Sequence, residues 1–337
     1  MRRLGILLLA ALFVGLLLVG GGGSALAGAD VISSAAQSTP EQVQAFWTAE
    51  RMKQAVKNAM QKQREGGPPM VLESVEPPQG EPFVSPPYCP DCDIPLAQPA
   101  GENYVTAGPS CPTSSYQWSF DTNYTSYPQR VVGRLFFSTP SGGVSSCSAS
   151  LVQNKLLLTA GHCVAGDGQW YSNFMFVPGY LQGKHPWGEY YAERKFTFNA
   201  WFYYEDFSHD VAFIILTQNI GDTVGWLGLV TNQDYRQLTW YQFGYPAEYP
   251  FDGSLLAINL SAFGYLDCSS GTPCDLGVGS PFTGGSSGGP WALYLDDGMP
   301  YANGLNSYTY SNCGQNMYSP YFGDDVKNML AEVLNYL

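Results

Sequence analysis

Gly285-Ser286-Ser287-Gly288-Gly289-Pro290 sets two serines among glycines near the end of a chain of 337 residues. An attacking hydroxyl has to project from a tight turn, and glycine neighbours let the backbone aim its N–H groups at a developing oxyanion. Taken alone, such a cluster is equally a linker or a hairpin turn. Two other stretches change its meaning. Leu157-Leu158-Thr159-Ala160-Gly161-His162-Cys163 ends an apolar strand on a histidine, which gives the imidazole a stiff backbone anchor. Ser208-His209-Asp210-Val211-Ala212 puts a carboxylate where a polar loop enters a buried strand, a place from which it can orient an imidazole. Each stretch has an ordinary structural explanation, but a serine turn, a histidine and an aspartate of this kind in one β-rich chain point to a catalytic triad.

Chain order selects the scaffold. The serine stretch also satisfies Gly-x-Ser-x-Gly, the nucleophile elbow of α/β-hydrolases, but that fold needs a histidine after the serine. All three histidines, His162, His185 and His209, precede Ser287. A subtilisin order needs an acid before His162, and no convincing one is present. The order His162, Asp210, Ser287 is the one used on paired β-barrels. His209 fails as the base, because its neighbour Asp210 projects to the opposite face of an extended segment.

The rest of the chain agrees with a β scaffold. From about residue 130 the pattern is strand after strand: 131–137, 147–152, 156–159, 174–177, 189–198, 211–216, 226–230, 240–244, 255–263 and 291–295. These runs are short, rich in Val, Ile, Phe and Tyr, and separated by Gly, Pro, Asn or Asp. A terminal helix opens on Asp324-Asp325 and runs through Val326, Met329, Leu330 and Val333. Without βαβ alternation, the expected class is all-β, with antiparallel barrels or sandwiches. Charged residues make up only 13% of the chain, with 38 Gly and 23 Tyr, which suits a turn-rich β protein. The formal net charge of −13 repels phosphate backbones and argues against nucleic acid as a partner.

Before residue 110 the chain has a different character. Arg2 and Arg3, the apolar run over 4–20 and Ser24-Ala25-Leu26-Ala27 predict a secretory signal over 1–27, cleaved after Ala27. The mature protein is then expected to be secreted, with no membrane contact once the signal is gone. Ser38 or Thr39 caps a helix expected over about 40–65, with Phe46, Met52, Val56 and Met60 at helical spacing. A Pro-rich stretch over 67–100 follows and is expected to be extended and unpacked. A helix and a Pro-rich linker ahead of a secreted β domain read as a propeptide over 28–110, leaving 111–337 as the catalytic domain.

Thr159–Cys163, the Asp210-Val211-Ala212 entry and Gly285–Pro290 together resemble the chymotrypsin-fold serine peptidases, over roughly residues 125–337. Val132-Gly133-Arg134-Leu135-Phe136, Phe243-Gly244-Tyr245-Pro246 and the terminal helix are more similar to the bacterial V8-like, glutamyl endopeptidase-like branch. The resemblance implies two packed antiparallel six-stranded β-barrels with a C-terminal α-helix. It implies Ser287 as nucleophile, with Ser286 its rival, His162 as general base and acid, and Asp210 as the orienting carboxylate. The N–H groups of Gly285 and Ser287 would form the oxyanion hole. No cofactor or metal is implied; the partners are protein or peptide substrates, met by a monomer.

Specificity departs from the better-known members. Pro281 stands where trypsin-type enzymes carry their cation-reading aspartate. Where the glutamate-specific members read a carboxylate with hydroxyls and a histidine, the nearest equivalents are Phe282, Thr283 and Asn306, which does not support that preference either. A pocket without a counter-charge favours an uncharged substrate side chain. Arg130-Val131-Val132-Gly133 has the look of a trypsin activation site, yet the acid that mechanism needs is replaced by Ser286. Cleft occlusion by the 28–110 segment is therefore the expected control. The family pattern pairs Cys147 with Cys163, and Cys268 with Cys274 can close a short hairpin loop. Cys89, Cys92, Cys111 and Cys313 then remain with three possible connectivities. Asn123 and Asn259 lie in glycosylation sequons. The competing function is a secreted binding protein on the same fold, with its pocket closed.

Overall fold

A computed structural model of the protein describes residues 30–68, 80–92 and 114–337. The signal over 1–27 and Cys111 lie outside the described residues.

The lead segment is built into the body. It comprises strand β1 (Val31–Ala35), helices α1 (Pro40–Phe46) and α2 (Ala49–Lys57), and strands β2 (Lys62–Arg64) and β3 (Phe83–Ser85). The single helix expected over 40–65 is thus two helices and a strand. Thr39 caps α1 in a reciprocal capping box with Gln42. The Trp47 indole then donates to the Asn173 carbonyl at 2.7 Å, and Thr48 caps a fresh helix by accepting from the Arg51 N–H. After Lys57 the chain becomes extended, because β-strand carbonyls of the body outbid another helical turn. The Asn58 side chain donates to the Val144 carbonyl and the Met60 N–H to that of Ser146, at 2.9 Å. The Pro-rich stretch is also less free than expected: β3 is a paired strand, and Cys89 is disulfide-bonded to Cys92 in a loop whose Asp91 accepts from the buried Arg130.

Strand β4 (Tyr116–Asp121) leads into the first unit, formed by β5 (Val132–Ser138), β6 (Val144–Gln153), β7 (Leu156–Thr159), a small hairpin of β8 (Ala165–Gly166) and β9 (Gln169–Trp170), β10 (Ser172–Pro178), β11 (Tyr190–Phe198), helix α3 (Asn199–Tyr204) and β12 (Ala212–Leu216). Its hydrogen-bonded order is β11-β10-β5-β6-β7-β12, and a β11–β12 pairing closes the ring into a six-stranded barrel. β12 is a continuous apolar run and β7 is three leucines closed by Thr159, and both are buried along their whole length. In β6 the period-2 alternation is chemical: Cys147, Ala149 and Leu151 join the barrel core, while Ser146, Ser148 and Ser150 stand between them. That alternation turns a face of hydroxyls toward the second unit. β1 pairs with β11 beyond the point where β10 leaves it.

Helix α4 (Gly221–Val224) links to the second unit: β13 (Gly228–Thr231), β14 (Thr239–Gly244), β15 (Leu256–Asp267), β16 (Asp275–Gly279), β17 (Pro290–Tyr294), β18 (Pro300–Leu305), β19 (Tyr308–Tyr310) and β20 (Cys313–Ser319). These form one sheet in the order β19-β20-β16-β15-β14-β17-β18-β13, extended by β2 at one end and β3 at the other, with β4 against β15. A second core gathers Trp240, Trp291, Leu276, Val278 and Phe282. Helix α5 (Asp324–Leu334) returns to the first unit and buries Val326, Met329, Leu330 and Val333 in its core. Cys147–Cys163 and Cys268–Cys274 are disulfide-bonded as expected. The Asn259 sequon is closed to modification in the folded chain: its side chain is buried and donates to Gln242 and to the Gly279 carbonyl.

Candidate active site

His162 follows β7 directly, in a single helical turn pinned to β6 by the Cys147–Cys163 disulfide. The preceding Gly161 has no room for a side chain: a Cβ there would lie 2.7 Å from the Trp201 ring and 3.0 Å from an Asp210 carboxylate oxygen. This contact lets Asp210 close on the histidine from two directions. Its Oδ1 accepts the His162 backbone N–H at 2.7 Å, and its Oδ2 lies 2.7 Å from His162 Nδ1. Ser307 adds a third donor through its hydroxyl. Burial would raise the Asp210 pKa, but His162 and Ser307 outweigh it and hold the carboxyl below its ordinary range. Asp210 is therefore a buried anion that fixes both the ring and the backbone of His162. Ser307 was not found by sequence reasoning. It belongs to no recognisable motif, and only the return of the chain ahead of β19 brings it 97 residues back to Asp210.

The serine turn is shaped by hydroxyls of β6. Ser148 Oγ donates to the Gly285 carbonyl at 2.8 Å, and the Ser148 N–H donates to that of Ser287 at 2.8 Å. Gly285 has φ of +93°, and a Cβ there would meet the Tyr245 carbonyl oxygen at 2.6 Å, so the residue has to be glycine. Ser286 donates its hydroxyl to the Thr283 carbonyl at 2.7 Å. Ser287 points instead into the cleft between the two units.

That cleft holds a peptide carbonyl of the chain itself. The Gly285 N–H donates to the Met60 oxygen at 2.7 Å, and Ser287 Oγ donates to the same oxygen at 3.1 Å. His162 Nε2, fully buried, has no hydrogen-bond partner among the described residues. The segment is gripped on both sides of Met60. Upstream, Ser145 and Ser146 donate to the carbonyls of Asn58 and Ala55. Downstream, β2 lies parallel to β19 with Lys62 opposite Tyr308 and Arg64 opposite Tyr310. Lys62 Nζ sits 3.0 Å from the Glu205 carboxylate. Sequence reasoning placed Met60 on a helix; it lies instead between α2 and β2, with its carbonyl in the cleft and its side chain packed against the first core.

The four residues named for specificity are placed differently from one another. Phe282 turns into the second core, its ring 6.0 Å from that of Phe251. Thr283 Oγ1 accepts from the Glu248 N–H. Asn306 is buried with its amide donating to the carbonyls of Phe243 and Ser286 and its oxygen accepting from the Trp291 indole, so it braces the serine turn. Pro281 is half-buried beside them. Arg130 and Val131 are buried, so the peptide bond between them is not presented for cleavage.

His209 is occupied elsewhere. Its Nδ1 lies 3.0 Å from Asp206 and its Nε2 3.5 Å from Asp325 of α5. Burial would lower its pKa, but the two carboxylates more than offset this and push it up to about 9.

A family model described as Trypsin matches residues 121–331. The crystal structure of the protease Anisep from Arthrobacter nicotinovorans is 32% identical, with a TM-score of 0.55, and the match covers 60% of this chain and 95% of that one. The extracellular metalloprotease of Bacillus subtilis is 30% identical over 132 residues, 39% of this chain and 42% of that protein. The glutamyl endopeptidase of Bacillus licheniformis is 29% identical over 109 residues, 32% of this chain and 33% of that protein. The chain thus matches less than half the length of either of these two relatives. The family match spans well over half of this chain and includes His162, Asp210 and Ser287, so the chain belongs to the trypsin family.

Proposed function

We propose that this protein is a secreted serine endopeptidase, made as a precursor and held silent by its own residues 55–66. The observation that carries the reading is the Met60 carbonyl, which accepts hydrogen bonds from the Gly285 N–H and the Ser287 hydroxyl. The Met60 oxygen thus rests on one of the two proposed oxyanion donors, the Gly285 N–H, and against the hydroxyl of the proposed nucleophile, the place a substrate carbonyl would need.

In the working enzyme, Ser287 Oγ attacks the substrate carbonyl carbon while its proton passes to His162 Nε2. The Asp210–Nδ1 hydrogen bond fixes the tautomer that leaves Nε2 free to accept, and the buried carboxylate stabilises the imidazolium that forms. The Gly285 N–H, joined by that of Ser287, takes the developing oxyanion. His162 returns the proton to the leaving amine, and water then hydrolyses the acyl-enzyme by the same steps in reverse. Both carbon–heteroatom exchanges are balanced by one proton shuttled through one histidine.

The same geometry supports latency. Ser287 gives its hydrogen to the Met60 oxygen rather than to His162, so no lone pair is delivered to the carbonyl carbon. The boundaries of the precursor, with a signal over 1–27 and a removable segment over 28–110, are part of this proposal. Secretion agrees with the extracellular character of the B. subtilis relative, and no helix among the described residues is long and apolar enough to cross a membrane.

That relative's name also raises the question of a metal. The described His, Cys, Asp and Glu groups close enough to share an ion are Cys147–His162–Cys163 and Cys89–Asp91–Cys92. In both, the two sulfurs are joined in a disulfide, so each group has one donor left and does not fit a metal centre.

Hydrolysis of casein by the processed protein, lost on Ser287→Ala, tests the activity. Undiminished hydrolysis by Ser287→Ala overturns the assignment, and a folded, processed protein with no hydrolysis favours the binding-protein reading.

A further inference from the structure

Four residues beyond Met60, the chain places Arg64 in a cage that the triad chemistry does not use. The guanidinium carbon lies 5.1 Å from the Phe207 ring centroid, 5.4 Å from that of Tyr308 and 5.7 Å from that of Tyr310. One guanidinium nitrogen is 3.4 Å from Asp267 Oδ2 and donates to Ser270 Oγ at 3.2 Å. The Asp267 side chain is 0% exposed and that of Arg64 only 21%.

The floor of this cage is preorganised. Asp267 Oδ1 accepts from the backbone N–H and hydroxyl of Ser269; Oδ2 accepts from the hydroxyls of Tyr308 and Tyr310, at 2.7 and 2.6 Å. Burial raises the Asp267 pKa, but these donors outweigh it and keep the group ionised. The Tyr308 hydroxyl also lies 2.8 Å from Asp275 Oδ2. One phenol hydrogen cannot serve two carboxylates, and burial pushes the Asp275 pKa well above the usual range. Burial thus sets Asp275 apart from Asp267, the carboxylate that faces the Arg64 guanidinium. Aromatic faces and one buried carboxylate form a receptor for a planar cation.

Arg64 reaches this receptor on a strand laid along the edge of β19, and the proposed activation removes that strand. Its departure leaves a bare sheet edge, which an extended peptide can join, and a buried carboxylate that has lost its cation. We infer that Phe207, Asp267, Tyr308 and Tyr310 form a substrate subsite that reads an arginine side chain about four residues from the attacked carbonyl, the separation of Arg64 from Met60. The inference rests on the peptidase reading and adds its substrate class: extended peptides with a basic residue at a distance from the scissile bond. Arg64 is then a resident mimic of the substrate's own arginine.

The test uses the processed protein and quenched fluorescent peptides in which one arginine is moved along the positions flanking a fixed cleavage site. Each peptide has a citrulline twin, equal in shape and without the charge. We expect arginine at one position three to five residues from the cleavage site to raise kcat/KM about tenfold to hundredfold over citrulline. In Asp267→Asn, with folding checked by circular dichroism, that ratio falls toward one. Phe207→Leu, at a partly exposed position, lowers it as well and serves if Asp267→Asn does not fold. Ratios near one at every position overturn the subsite. If no peptide is hydrolysed, the peptidase reading fails, and the same pairs are titrated by anisotropy onto Ser287→Ala. Arginine-selective binding there upholds the subsite without the activity, and equal binding of the twins overturns it.

Discussion

The backbone N–H of Gly285 is 2.7 Å from the carbonyl oxygen of Met60, two residues separated by most of the chain. This contact joins the two halves of the account, because the donor belongs to the serine turn and the acceptor to the segment proposed to be removed. Part of the grip around it is backbone to backbone, from the Ser146 carbonyl on one side to β19 on the other. That part of the docking is sensitive to the loss of an N–H.

Met60→Pro is therefore predicted to weaken latency. It removes the N–H that donates to the Ser146 carbonyl, within a segment whose conformation is fixed by such bonds. The unprocessed chain carrying this change should hydrolyse a small ester substrate at least about tenfold faster than the unprocessed parent. Equal rates would show that the segment does not control access to Ser287.

Gly285→Ala tests the oxyanion donor. The new Cβ meets the Tyr245 carbonyl and the residue is asked to keep a positive φ, so the turn shifts and its N–H moves off target. Turnover by the processed protein should fall by about 10²–10³. Stability should drop by about 1–3 kcal/mol, read from chemical denaturation.

Ser307→Ala removes one donor from Asp210 while leaving the His162 contacts in place. We expect kcat to fall about tenfold, with KM little changed. The folded pKa of Asp210 is depressed, so its contribution to stability is present above the unfolded value and lost as pH falls through the folded one. With Ser307 gone the folded pKa rises, and acid unfolding should begin at higher pH than in the parent.

His209 sets the opposite dependence. Its folded pKa is raised to about 9 against an ordinary 6.5, so the stability it contributes is complete below 6.5 and disappears as pH rises through 9. His209→Asn should remove about 2 kcal/mol near neutrality and flatten the fall in stability between pH 7 and 10. A pH profile as steep as the parent's would show that the Asp206–His209–Asp325 bridge contributes little.

Legibility in the sequence followed the range of the interaction. His162, Asp210 and Ser287 stand in short stretches whose local pattern already states the requirement: a strand end, a strand entry and a glycine-lined turn. The strands of the first barrel were readable for the same reason, since residues 156–158 and Ala212–Leu216 are unbroken apolar runs. Strands β16, β18, β19 and β20 were not. Cys313–Ser319 is largely polar, and Asp275–Gly279 carries two glycines and an aspartate, so pairing rather than propensity makes them strands. Met60 misled because helical spacing holds through Val56, and distant partners, the carbonyls of Val144 and Ser146 among them, draw the chain out of the helix. Ser307 and Asp267 act on residues about a hundred and about two hundred positions away, respectively, and neither has a local signature.

The most direct measurement is the rate at which a fluorophosphonate labels Ser287 in the full chain and in the processed protein, with the adduct mapped by peptide mass. The account predicts rapid labelling of Ser287 after processing, abolished by His162→Ala, and labelling at least about a hundredfold slower while the lead segment is in place. Equally fast labelling of the unprocessed chain would contradict it, because a Met60 carbonyl held by Gly285 and Ser287 leaves the probe no place to react.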